Sequence, residues 1–201
     1  MNCHRGGFIN ARHDNIRNFD GKLLDAVCND VQLEPQLQPI PAGVKFRKSV
    51  NDKEDARVDI RARGFWRNGQ NSFFDVRVTN SDAESQKDKT IKSVLRTHEQ
   101  EKKRTYNARI MEIDMGTFTP IVFTSKGVMG HECEKFHKCL AEKLANKKGE
   151  KYEDIMRFIR VKLSFLVLKA SLLCLRGTRV KTSNVSHEND DFKFLLNEMS
   201  A

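Results

Sequence analysis

Between Arg12 and Val31 the apolar residues Ile16, Phe19, Leu23, Leu24 and Val27 recur every three or four positions, which places them on one helix face. Gly21 interrupts that run at about 1 kcal/mol against alanine. Glu34-Pro35 and the prolines at 39 and 41 end regular structure, and residues 41–56 read as a polar loop. The period then drops to two. RVDIRAR (57–63) alternates, FFDVRVT (73–79) is aromatic and β-branched, and Asn68-Gly69 between them signals a hairpin turn. Residues 80–89 are polar and aperiodic. Val94, Leu95, Tyr106, Ile110 and Ile113 then predict a charged helix over 91–115, stopped by Gly116. TFTPIVFT (117–124) predicts a strand that Pro120 confines to an edge or a bulge. Two more helices are predicted at about 131–146 and 152–175, the latter closed by Gly177. A polar tail follows, with a possible last turn at 192–196.

The predicted order is therefore helix, short strand, hairpin of two strands, helix, strand, helix, helix. It implies an α/β fold: a mixed sheet of about four strands flanked by helices (α-β-β-β-α-β), with two further C-terminal helices. One domain is expected over 11–177, with a polar C-terminal tail at 178–201.

Charge narrows the partners. With 36 Lys+Arg against 27 Asp+Glu the chain carries +9, so phosphate-bearing polymers come first. The five cysteines are odd in number and scattered, which favours a reducing, intracellular setting over a secreted disulfide framework. The N-terminus lacks an apolar signal core. The most apolar stretch, 163–175, is broken by Lys169 and falls short of the roughly 20 residues a bilayer needs, so no membrane association is expected.

Two residues stand out within this pattern. Asp59 and Asp75 are carboxylates inside segments that otherwise want to be buried strand, where an unpaired charge is costly. On adjacent antiparallel strands they could converge on one divalent ion such as Mg²⁺, which takes oxygen ligands, keeps several waters and suits phosphodiester hydrolysis. The alternative is ordinary ion pairing, Asp59 with Arg57 or Arg61 and Asp75 with Arg77. Around the hairpin cluster Arg57, Arg61, Arg63, Arg67 and Arg77, a set suited to salt-sensitive DNA backbone contacts or simply to a solvated basic surface. His131, Cys133, His137 and Cys139 form an H-x-C-x3-H-x-C run, but only Cys133 and His137 share a helix face, so buried helix positions are expected there rather than zinc. His13 is expected at the surface or as a cap.

A family resemblance shifts the balance between these readings. Val58-Asp59 followed by Asp75-Val76-Arg77 resembles the PD-(D/E)xK signature of restriction-like nucleases. CHRGGFINARHDNIRN (3–18), VCNDVQLEPQL (27–37) and ARVDIRARGFWRNGQNSFFDVRVTN (56–80) resemble the C-terminal endonuclease region of non-LTR retrotransposon polyproteins and related transposon-derived proteins. EKKRTYNARI (101–110), GTFTPIVFTSKGVMG (116–130) and KLSFLVLKASLLCLRG (162–177) extend the likeness to most of the chain. The resemblance implies an endonuclease core, with Asp59 and Asp75 binding Mg²⁺ or Mn²⁺ and Glu34 as an additional acidic contributor. It also implies that residues 1–10 are a remnant of an upstream zinc-knuckle-like segment, with Cys3 free and zinc not expected in this chain. Val58 replaces the usual proline. Arg77 stands where the catalytic Lys belongs; a guanidinium stabilises negative charge but cannot serve as a base. Lys102 or Lys103, near Tyr106 on the following helix, could take that place, or could belong to a solvated face. The expected function is metal-dependent DNA hydrolysis. The alternatives are a catalytically inactive, transposon-derived nucleic-acid-binding module and a protein-interaction domain.

Overall fold

The computed structural model describes residues 7–176. The predicted remnant's residues 1–6, with Cys3 and His4, lie outside the described residues, as do the tail 178–201 and its possible turn; residues 7–10 open the first helix.

Four helices and four strands are found among the described residues, in the order α1 (Gly7–Asp25), β1 (Asn29–Leu33), β2 (Ile60–Arg63), β3 (Asn71–Thr79), α2 (Ile91–Glu112), β4 (Thr117–Thr124), α3 (His131–Lys148) and α4 (Tyr152–Arg176). The strands form one mixed sheet in the order β1-β2-β3-β4. β1, β2 and β3 are an antiparallel meander, and α2 crosses over so that β4 lies parallel to β3. β4 is thus an edge strand, where Pro120, which lacks an N–H, is tolerated.

The first helix is shorter at its C-terminal end than its apolar spacing suggests. It stops at Asp25, where Val27 and Cys28 N–H groups both return to the Leu24 carbonyl, and the residues read as its last turn become β1. β1 is the short strand expected between the helix and the hairpin, but its bounds escape recognition because it is polar and almost wholly exposed, with a register shift between Asn29 and Gln32 and a positive φ at Asp30. α2 also ends three residues before Met115. Met115, not Gly116, takes the left-handed conformation. Gly116 is required for a different reason: a Cβ there would lie 2.6 Å from the Phe73 ring.

Two apolar layers enclose the sheet. On one side α1, α3 and α4 bury Ile16, Leu24, Phe136, Leu140 and Ile159 against Ile60, Ala62, Phe74 and Val76. Each such side chain contributes about 1.5–3 kcal/mol relative to exposure. On the other, α2 brings Ile110 and Tyr106 onto Phe73, Phe118, Val58 and Leu37. β3 is central and covered on both faces, which explains its apolar run and makes Asp75 within it conspicuous. No helix among the described residues is long and apolar enough to cross a membrane.

Candidate functional site

β3 runs past the start of β2, and there the sheet's ladder gives way to side chains. The β2–β3 register pairs Ile60 with Phe74, so one further step sets Asp59 against Asp75, on the face that carries Phe73. The Asp59 backbone departs from the ladder, and its Oδ2 accepts the Val76 N–H at 2.6 Å. Asp75 sits five per cent exposed beneath α2, with Lys102 Nζ 2.5 Å from its Oδ2. That ammonium lies against Oδ2 as a close ion pair. Lys102 also lies 5.7 Å from the centre of the Tyr106 ring, one helical turn on.

The fifth member comes from α1. His13 Nε2 lies 3.1 Å from both Asp59 Oδ2 and the Val76 carbonyl oxygen. A carbonyl only accepts, so Nε2 carries a proton; Nδ1 faces Asp14 at 3.3 Å. The hydrogen bond to Asp59, reinforced by the charges of Asp59 and Asp14, outweighs burial and lifts His13 to about 9. Asp75 moves up as well, to about 6, chiefly because it is desolvated and secondarily because Asp59 is negative; Lys102 and His13 oppose the shift. Desolvation, then the Asp75 charge, raises the Tyr106 phenol. Two mutually repelling carboxylates are therefore held together and hemmed by cations. The Asp59 side chain remains 15% exposed against 7% for Asp75, so the approach from solvent is on the Asp59 side.

Neither carboxylate is tied to the arginines proposed as partners. Arg61 reaches Asp30 at 2.5 Å, Arg77 reaches Glu101 at 2.8 Å, and Arg57 is exposed. Arg77, on the same strand face as Asp75, thus turns along α2 toward Glu101, whose carboxylate also lies 3.1 Å from His98 Nδ1. Lys103 points elsewhere, to Glu132 at 2.5 Å. Glu34 donates its backbone N–H to the Asp59 carbonyl at 2.8 Å, but its carboxylate is paired with Arg17. Arg63 donates to the Gly69 carbonyl at 3.1 Å, and it and Arg67 are exposed at the turn end of the hairpin.

Among the described residues no three His, Cys, Asp or Glu side chains gather in metal-binding geometry. Cys133 and His137 are in contact and wholly buried, while His131 is exposed and Cys139 half-buried. His137 Nδ1 lies 2.9 Å from the Cys133 carbonyl and Nε2 3.1 Å from Asp20 Oδ1, so this histidine pins α3 to α1 through the core.

Sequence spacing gave no sign of His13, which reaches the pair from 46 positions away. It also passed over the exposed Lys45, Arg47 and Lys48 in the loop before β2. Arg109, fully buried in α2, fixes that loop by donating to the carbonyls of Gln38, Asn51 and Lys53, each at 2.8 Å. The Asn51 N–H in turn bonds the Thr105 carbonyl, beside Tyr106. A groove of about 740 Å³ runs between the first half of α2 and the segment leading into α3, with neither Asp59 nor Asp75 in its lining. No protein-family model matches this sequence, and no curated protein is similar enough to count as a relative.

Proposed function

We propose that the chain is a restriction-endonuclease-like nuclease core, derived from a retrotransposon, that hydrolyses DNA phosphodiesters with Mg²⁺ or Mn²⁺. The observation that carries this is the meeting of Asp59, Asp75 and the Lys102 ammonium where β2 begins. The helix, three-stranded meander, crossover helix and parallel fourth strand agree with the fold the resemblance implies.

The donor set fits such an ion. Mg²⁺ is usually held by one or two carboxylates, with waters and substrate phosphate oxygens completing its shell. Asp75 Oδ2 is a buried carboxylate oxygen held by the Lys102 ammonium, beside a second carboxylate that repels it. Asp59 and Asp75 would hold the metal, which when bound supplies a polarised water and offsets charge on the attacked phosphate. Lys102 stands where the family's lysine chemistry is needed, supplied from α2 instead of position 77. It stabilises negative charge and orients the carboxylate it touches. His13 holds Asp59 through its Oδ2. Tyr106 adjoins the site beside Lys102, and the clamped loop offers the exposed cations Lys45, Arg47 and Lys48 for phosphate contacts.

The purified chain is expected to nick supercoiled plasmid with added Mn²⁺. Asp59→Asn and Asp75→Asn should each abolish nicking while leaving the circular dichroism spectrum intact. DNA retention without nicking under any divalent metal identifies the inactive binding module instead, and absence of retention at low salt ends the nucleic-acid reading.

A further inference from the structure

The outer face of α4 carries an apolar stripe that nothing among the described residues covers. Val161, Phe165, Leu168 and Leu172 are 49, 63, 54 and 45% exposed. They follow one another at intervals of four, three and four, the spacing of a helix-packing seam. At 100° per residue the stripe lies opposite the row Ile155, Ile159, Leu163 and Val167 that is buried in the core. The helix is therefore apolar on two sides, one of them satisfied. Four large half-exposed side chains in line are more than the scattered surface apolar residues of an ordinary helix.

Charge decides what fits. Arg157 borders the stripe on one side and Lys162 and Lys169 on the other, and the sequence has no acidic residue between Ile155 and Lys181. A second copy of α4 laid against the first would oppose like charges. An acidic segment is found in this same chain: Glu188, Asp190, Asp191 and Glu198, against the single cation Lys193, accompany Phe192, Leu195, Leu196 and Met199, apolar residues three, four and seven positions along from the first. Its sequence is complementary to the stripe in both charge and spacing.

We propose that residues 188–199 dock on the outer face of α4 as an internal partner. Residues 177–187 join the two. At about 3.3 Å per residue that connection reaches about 36 Å, while the stripe from Leu172 to Val161 is only about 16 Å long. The tether keeps the segment at an effective concentration on the order of millimolar, so even weak contacts suffice to hold it. The docking is independent of the nuclease reading.

Zero-length carbodiimide cross-linking of the full chain, read by mass spectrometry, tests this. An equal mixture of isotope-labelled and unlabelled chain separates links within a molecule from links between molecules. The expected result is links from Lys162 or Lys169 to Glu188, Asp190, Asp191 or Glu198 within single chains. They should be lost in Phe165→Ser/Leu168→Ser, whose sites are exposed, and independently in Leu195→Ser/Leu196→Ser. Links that persist in both variants overturn the proposal. So do links found only between labelled and unlabelled chains, which assign the stripe to a second copy. Absence of links together with stripe-dependent sedimentation on anionic vesicles assigns it to a lipid surface and also refutes the proposal.

Discussion

Replacing Asp75 by Asn should make the protein more stable while making it inactive. The carboxyl rises from its ordinary 3.8 to about 6 in the fold. Between those values the folded chain keeps a proton that the unfolded chain has lost, so stability declines as pH rises through the window. At about 1.36 kcal/mol per pKa unit, roughly two units amount to about 3 kcal/mol of destabilisation once Asp75 is ionised. Asn keeps the shape and removes the charge. Against that gain, Lys102 loses its counter-ion, at small cost because its side chain is 23% exposed and stays hydrated. The net expectation is a gain of about 1–2 kcal/mol near neutral pH, disappearing at about pH 4, where the wild-type carboxyl is protonated. For a domain of this size the gain corresponds to a Tm increase of roughly 2–8 °C. Thermal or urea melts of both proteins across that pH range measure it. Mn²⁺ should raise the wild-type Tm and leave Asp75→Asn unmoved, because only the carboxylate pair gives the ion preferential affinity for the folded state. A variant less stable than wild type at neutral pH, or a difference that does not change with pH, would refute the account of a strained carboxylate pair.

Other residues give sharper local contrasts. His13 is raised to about 9, so its contribution is complete below the unfolded value of 6.5 and is lost as pH climbs through about 9; with 30% of the side chain exposed, about 1–2 kcal/mol should vanish over that range in wild type but not in His13→Asn, by urea titration. Lys102→Met should eliminate nicking, whereas Lys103→Met, which breaks only a partly exposed pair with Glu132, should retain it and cost about 0–1 kcal/mol. Arg109→Met removes three charge-assisted bonds to buried carbonyls and should destabilise by about 3 kcal/mol or more in urea melts, with the weakened hold on the 38–53 loop also reducing DNA retention.

What could be read from the chain depended on whether one face of an element dictated its residues. The β2–β3 hairpin was legible because its turn dipeptide and apolar residues agree, and α2, α3 and α4 because each buries a row at helical spacing. The bounds of β1 were hidden because only Val31 within it is even partly buried, leaving no alternation to read. The Asp59 and Asp75 pair stood out by a conflict between charge and a buried strand. Choosing Lys102 over Lys103 required coordinates, since adjacent helix positions differ by 100° and the sequence does not say which of them faces the sheet. His13, and likewise the core link of Asp20 to His137, depend on contacts between distant segments that no local period records.

The β2–β3 hairpin keeps its turn well apart from the carboxylate pair. Arg63 pairs with Asn71 at the turn, whereas Asp59 and Asp75 lie at the far end of the ladder, roughly 13 Å away at the rise of an extended strand. The exposed stretch from Arg67 to Gly69 can therefore be lengthened or exchanged without shifting the strand register that brings the acids together. Under the proposed nuclease reading, such an architecture would let target preference drift in one place while the cutting chemistry stayed put in another, and the turn would be the place to graft a foreign recognition loop.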